Sequence, residues 1–158
     1  MVEILALGEQ ADSGLHPVTG ELLAAARSLG GEVAVVIAGA ELDKASSEAQ
    51  ALGADWVYLV NDPLLAGGSI DALVAAFEQV CRQTTPSIVL VGRTMAGREI
   101  GPRLASRLGA GLAQDCIEVE LDPATSRVVA TRPVYGGNAM AKVRFADIDP
   151  QIVGLRSR

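Results

Sequence analysis

Four short, predominantly apolar runs separated by helix-patterned stretches constrain this chain more than any other feature. Val2–Leu7, Val33–Ala38, Trp56–Val60 and Ile88–Val91 lack the polar–apolar alternation of a half-exposed strand. Strands covered on both faces read this way, because helices shield the two sides of a parallel sheet. Between the runs lie segments of helical period. Thr19–Leu29 puts Leu22, Leu23, Ala26 and Leu29 on one stripe and stops at Gly30-Gly31. Leu42–Leu52 aligns Leu42, Ala45, Ala49 and Leu52 before Gly53. Ser69 is the expected N-cap of Ile70–Arg82, whose Leu73, Ala76, Phe77 and Val80 recur at spacings of 3, 4 and 7. After Gly92 a further helix carries Ile100, Leu104 and Leu108 on one face. Pro102 is expected in its first turn, where no helical N–H is needed.

The pattern changes beyond Gly111. Cys116–Leu121, Arg127–Pro133, Met140–Phe145 and Ile152–Leu155 read as strands with no helix between them, and Asp122-Pro123 and Gly136-Gly137-Asn138 mark turns. The expected fold is a three-layer α/β/α domain over residues 1–158, with a mostly parallel, doubly wound sheet and an antiparallel C-terminal extension. A chain of 158 residues, 49% of them hydrophobic, can bury one such core.

Composition narrows the function. Aromatic residues are only 3% of the chain, so stacking platforms for bases are scarce and no nucleic-acid partner is expected. Residues 1–79 hold two basic groups, Arg27 and Lys44, against twelve acidic ones, a balance of −10. Residues 80–158 hold eleven against seven, +4, which gives the whole chain −6. Eleven of the thirteen basic residues are Arg, the side chain suited to bidentate contacts. The second half is therefore expected to face something anionic, although clustering by chance produces the same split. Cys81 and Cys116 have neither metal nor redox spacing and read as buried small hydrophobes, which fits a cytoplasmic setting. The N-terminus shows no signal-peptide pattern, and the apolar runs are too short to cross a bilayer.

Gly92-Arg93-Thr94-Met95-Ala96-Gly97-Arg98-Glu99 follows a strand and opens a helix, which is where open α/β sheets bind ligands. Its glycine spacing imitates a phosphate loop, but Arg98 and Glu99 stand where such a loop needs Lys and a metal-binding hydroxyl. An anion site and a tight turn with close packing both account for the glycines. Arg93, Arg98, Arg103 and Arg107 fall within 15 residues and are read as an interface in preference to a solvated face. His16, the only histidine, is expected in a surface loop. With no nucleophile–base pair and no paired carboxylates, catalytic and metal-binding residues are not expected.

Two segments carry a family resemblance. Gly92 to Asp115, with its Gly-Arg, Pro-Arg-Leu-Ala, Leu-Gly and Asp elements, and Thr131-Arg132-Pro133-Val134-Tyr135-Gly136-Gly137-Asn138-Ala139-Met140-Ala141 resemble the N-terminal domain of electron transfer flavoprotein alpha subunits. The resemblance implies an adenine-nucleotide-binding-like α/β domain that pairs with a beta subunit. The complete assembly carries electrons from dehydrogenases through FAD, most of whose contacts lie in a second, flavin-binding domain of the alpha subunit. That domain is expected to be absent from this chain, which is not expected to hold FAD tightly by itself. On this reading the chain is a non-catalytic scaffold and docking module. Its candidate contact residues are Arg93, Thr94, Arg98, Arg132, Tyr135 and Asn138, on loops shaped by Gly92, Gly97, Gly136 and Gly137. The alternative is a stand-alone nucleotide sensor that uses the loop after strand four.

Overall fold

The structure, a computed structural model, describes residues 3–12 and 14–157. Val2, expected to open the first strand, lies outside them. In chain order the elements begin with β1 (Ile4–Gly8), the short hairpin β2 (Gln10–Ala11) and β3 (Gly14–Leu15), α1 (Pro17–Leu29), β4 (Val33–Gly39) and α2 (Asp43–Ala51). They continue with β5 (Trp56–Asn61), α3 (Ile70–Thr84), β6 (Ile88–Gly92), α4 (Met95–Leu108) and β7 (Gly111–Cys116). The chain finishes with β8 (Glu118–Leu121), β9 (Val128–Val134), β10 (Ala139–Arg144) and β11 (Gln151–Leu155). Single turns of 3-10 helix occupy Pro63–Leu65 and Tyr135–Gly137.

Six parallel strands form one sheet in the order β5-β4-β1-β6-β11-β7. The four inner strands are buried at every residue, which is why their sequences show no alternation. The edge strands β5 and β7 are not. Alternate residues of β1 point to opposite faces. Ile4 and Ala6 pack with Leu22, Leu23 and Ala26 of α1, Ala45 and Ala49 of α2, and Val128 and Ala130 of β9. Leu5 and Leu7 pack with Val74, Phe77 and Val80 of α3 and Ile100 and Leu104 of α4. Each fully buried Leu or Ile contributes about 1.5–3 kcal/mol of transfer free energy, so these two half-cores carry the fold.

The last third departs from expectation. Ile152–Leu155 does not belong to the antiparallel extension; β11 inserts into the parallel sheet between β6 and β7. A parallel connection needs a crossover of a dozen or more residues, usually a helix. Here the three-stranded antiparallel sheet β10-β9-β8 serves as that crossover. Gln151, buried at the start of β11, accepts from the Val128 N–H through Oε1 at 2.8 Å and ties the two sheets together. Cys116–Leu121 is likewise not one strand. Gly111–Cys116 pairs with β11 in the large sheet, Ile117 donates its N–H to the Thr131 carbonyl at 2.8 Å, and β8 then begins on the small sheet.

Two local expectations also fail. Pro102 lies in the interior of α4 instead of its first turn. It removes one helical hydrogen bond, and the Arg98 carbonyl it would have served is met by Gln114 Nε2 at 3.4 Å. Ser69 precedes α3 but its side chain makes no capping hydrogen bond. Cys81 and Cys116 are buried and unlinked, as the sequence implies. Burial pushes their thiols up to about 12 and about 11, so neither is a reactive thiolate near neutral pH.

Candidate functional site

Strand order reverses between β1 and β6, whose connections run to opposite ends of the sheet. The crevice at their carboxyl ends is the place where such sheets accept ligands. The β6–α4 turn fills it with its own groups. Thr94, the N-cap of α4, accepts the Gly97 N–H through Oγ1 at 2.9 Å and donates its hydroxyl to Glu9 Oε1 at 2.6 Å. A Cβ on Gly97 would fall on the Gly92 carbonyl oxygen, and one on Gly92 would strike Val18 of α1. The glycines thus permit close backbone approach, the tight-turn reading of the motif. Burial raises the Glu9 carboxyl above its ordinary range, against the Thr94 hydrogen bond and the nearby His16, which lower it. A phosphate at this helix start would meet a carboxylate, so the turn offers a nucleotide sensor no phosphate cradle. His16, expected as a loop residue, caps α1 by accepting the Val18 N–H through Nδ1 at 3.1 Å.

The other side of Gly92 is different. A cavity of about 210 Å³ opens at the carboxyl ends of β6, β11 and β7, lined by Gly92, Arg93, Gly97, Arg98, Gln114, Asp115, Arg132 and others. Backbone pairing fixes two arginines at this end of the sheet. The Arg93 N–H donates to the Leu155 carbonyl at 2.8 Å, and the Arg156 N–H donates to the Cys116 carbonyl at 2.9 Å. The β11–β7 register shifts between Val153 and Leu155, opposite Gln114 and Asp115. Asp115 there takes a left-handed φ of 65°, a bulge geometry of the kind that re-aims side chains.

The Asp115 carboxylate receives Arg156 Nε at 2.6 Å, Arg156 Nη2 at 2.8 Å and Arg93 Nε at 2.5 Å. The Arg156 hydrogen bonds, with the charges of Arg93, Arg156 and Arg132, hold it below the ordinary carboxylate range. Two arginines are left over. Arg98 makes no side-chain hydrogen bond or ion pair among the described residues, and the Nε of Arg132 is buried without a hydrogen-bond partner.

Arg93, Arg98 and Arg132, with Gly92 and Gly97, therefore meet around one cavity. A second, of about 380 Å³, shares Asp115 and Arg132 and continues past Tyr135, Gly136, Gly137 and Arg156. Tyr135 is 85% exposed on its 3-10 turn. Asn138 stands behind it and donates Nδ2 to the Tyr135 carbonyl at 2.9 Å, so it shapes the turn without lining either cavity. Thr94 faces Glu9 instead. Arg103 and Arg107 do not join the cluster. They pair along α3 and α4, Arg103 with Asp71 and Glu99 and Arg107 with Glu78, exposed contacts of small energetic weight.

Sequence reasoning missed Arg156, Asp115, Gln114 and Glu9 as site residues. The position just past an apolar strand that singled out Arg93 would equally have found Arg156, had Ile152–Leu155 been assigned to the parallel sheet. Among the described residues no group of His, Cys, Asp and Glu is arranged to hold a metal, and no helix is long and apolar enough to cross a membrane.

Comparison with known proteins covers nearly the whole chain. The electron transfer flavoprotein domain model matches residues 4–158. An electron transfer flavoprotein subunit alpha from Thermoanaerobacterium thermosaccharolyticum is 34% identical over 98% of this chain and 48% of its own length. The subunit of the same name from Clostridium acetobutylicum is 36% identical over 94% of this chain and 45% of its own. Protein FixB of Azorhizobium caulinodans is 34% identical over 95% and 42%. The chain spans about half the length of these relatives.

Proposed function

The chain belongs to the electron transfer flavoprotein family, and from that premise we propose that it is the scaffold and docking module of an alpha subunit. In this role it seats a beta subunit and a flavin-binding domain, and the assembled protein moves electrons from dehydrogenases through FAD. The chain itself performs no bond chemistry; it supplies a rigid α/β frame and a charged contact surface. The observation that carries the reading is the alignment of alpha subunits along 98% of the chain. The structure supports the location of the surface, since Arg93, Arg98 and Arg132 ring one cavity beside the exposed Tyr135. Arg and Tyr are the side chains that anchor protein interfaces, Arg through bidentate contacts and Tyr through a large rigid face with a polar tip.

The test compares Arg93→Ala, Arg98→Ala and Arg132→Ala for melting temperature and for binding to the cognate beta subunit. Weaker binding is expected, at an unchanged melt for Arg98→Ala and Arg132→Ala and with a small loss for Arg93→Ala, which takes a partner from Asp115. Full-strength binding by all three variants overturns the docking surface.

A further inference from the structure

We propose that the cavity between Arg98 and Arg132 is a preformed site for one small oxyanion, a carboxylate or a phosphate group. The proposal rests on the docking reading for its biological setting, but the chain alone should bind. Four arginines, Arg93, Arg98, Arg132 and Arg156, line the two adjoining cavities with a single carboxylate, Asp115. Asp115 engages Arg93 and Arg156 and holds them in place. It leaves Arg98 unpaired and the buried Nε of Arg132 unsatisfied. An incoming oxyanion would give the Arg98 guanidinium an acceptor and balance the excess of positive charge around Asp115.

Size selects the ligand. At about 210 Å³ the inner cavity falls below the roughly 300–1,000 Å³ of sites for drug-sized molecules. It suits a single anionic group. The adjoining cavity past Tyr135 gives that group an approach route, whether it arrives free or on the side chain of a partner. The neighbouring helix start offers no competing site, because Thr94 and Glu9 already occupy it.

The experiment titrates the 158-residue chain with potassium phosphate and, separately, potassium acetate, each against potassium chloride of equal ionic strength. Melting temperature and heat of binding are read. A saturable rise beyond the chloride control is expected from at least one of the two anions, and the one that binds identifies the oxyanion class. Arg98→Lys and Arg132→Lys keep the charge and lose the planar fork, so each should weaken binding about tenfold. Arg103→Lys, outside the cavity, should leave it unchanged. A chloride effect equal to that of both anions overturns the proposal, and so do wild-type affinities in both lysine variants. Adding the beta subunit identifies the source. Displacement of the bound anion assigns the site to an acidic side chain of the partner, and retention assigns it to a free anion; both support the site. A chain that binds the beta subunit but no oxyanion sinks this proposal alone. One that binds oxyanion but no beta subunit sinks only the docking reading.

Discussion

Gly92 divides two neighbourhoods at the carboxyl end of the sheet. Toward β1, the turn meets every need from within: Thr94 caps α4, Glu9 accepts the hydrogen bond of the Thr94 hydroxyl, and Gly97 sits on the Gly92 carbonyl. Toward β7, donors outnumber acceptors, and Asp115 is shared by two arginines while Arg98 and Arg132 keep unmet capacity. The first region is the one with the glycine spacing of an anion loop. The second is built from arginines and one aspartate that have no ligand-loop spacing. Ligand capacity follows unsatisfied polar groups, and glycine spacing by itself marks only close backbone approach.

The contrast breaks most readily on its closed side. Gly97→Ala places a Cβ against backbone that cannot swing away, so the α4 start must shift. We expect a loss of about 3 kcal/mol in urea unfolding, the upper range for overpacking. A loss below about 1 kcal/mol would show that the turn has slack. Thr94→Ala removes the N-cap acceptor and the donor to Glu9 together. About 1–2 kcal/mol should be lost, measured the same way.

The two carboxylates sharpen the comparison, because they shift in opposite directions. Glu9 is raised, so its contribution to stability is complete below its ordinary value of 4.5 and is lost as pH rises through the folded value. Asp115 is lowered, so its contribution is complete above 3.8 and is lost as pH falls through the folded value. Urea midpoints measured from about pH 3 to 7 should therefore respond with opposite sign. Glu9→Gln should remove the decline above 4.5 and hold its own at neutral pH. Asp115→Asn should lose stability at neutral pH and flatten the acid limb below 3.8. Parallel profiles for the two variants would erase the distinction between the regions.

Most of the frame was legible because burial on both faces leaves its mark residue by residue. Val33–Ala38 and Ile88–Val91 match β4 and β6 to within one residue for that reason. The last third was harder to read, since strands that follow one another without a helix normally pair antiparallel. Nothing local to Ile152–Leu155 reveals that a small sheet acts as its crossover. The arginines were found by their scarcity elsewhere and their position after β6, and the structure gathers Arg93, Arg98 and Arg132 from segments nearly 40 residues apart in the sequence. Asp115 ends a family segment but was not read as a site residue, because its role depends on a bulge and a left-handed backbone, which a sequence pattern does not display. Pro102 was misplaced because Gln114, on a different element, meets the carbonyl that the proline abandons.

The smallest expected effect is also the most discriminating. Arg98 lies on an exposed part of α4 with no partner for its guanidinium, so the fold gains little from it. Arg98→Ala should change stability by less than about 0.5 kcal/mol, the usual range for surface positions. Alanine even favours the helix slightly, by its intrinsic propensity. A larger loss would mean that Arg98 supports the β6–α4 turn from outside, and the line drawn at Gly92 would then run through the wrong residue. A silent melt combined with weaker binding of phosphate or of the beta subunit would separate the two roles cleanly. An arginine that costs the fold nothing to remove, yet is missed by a ligand, is present for the ligand.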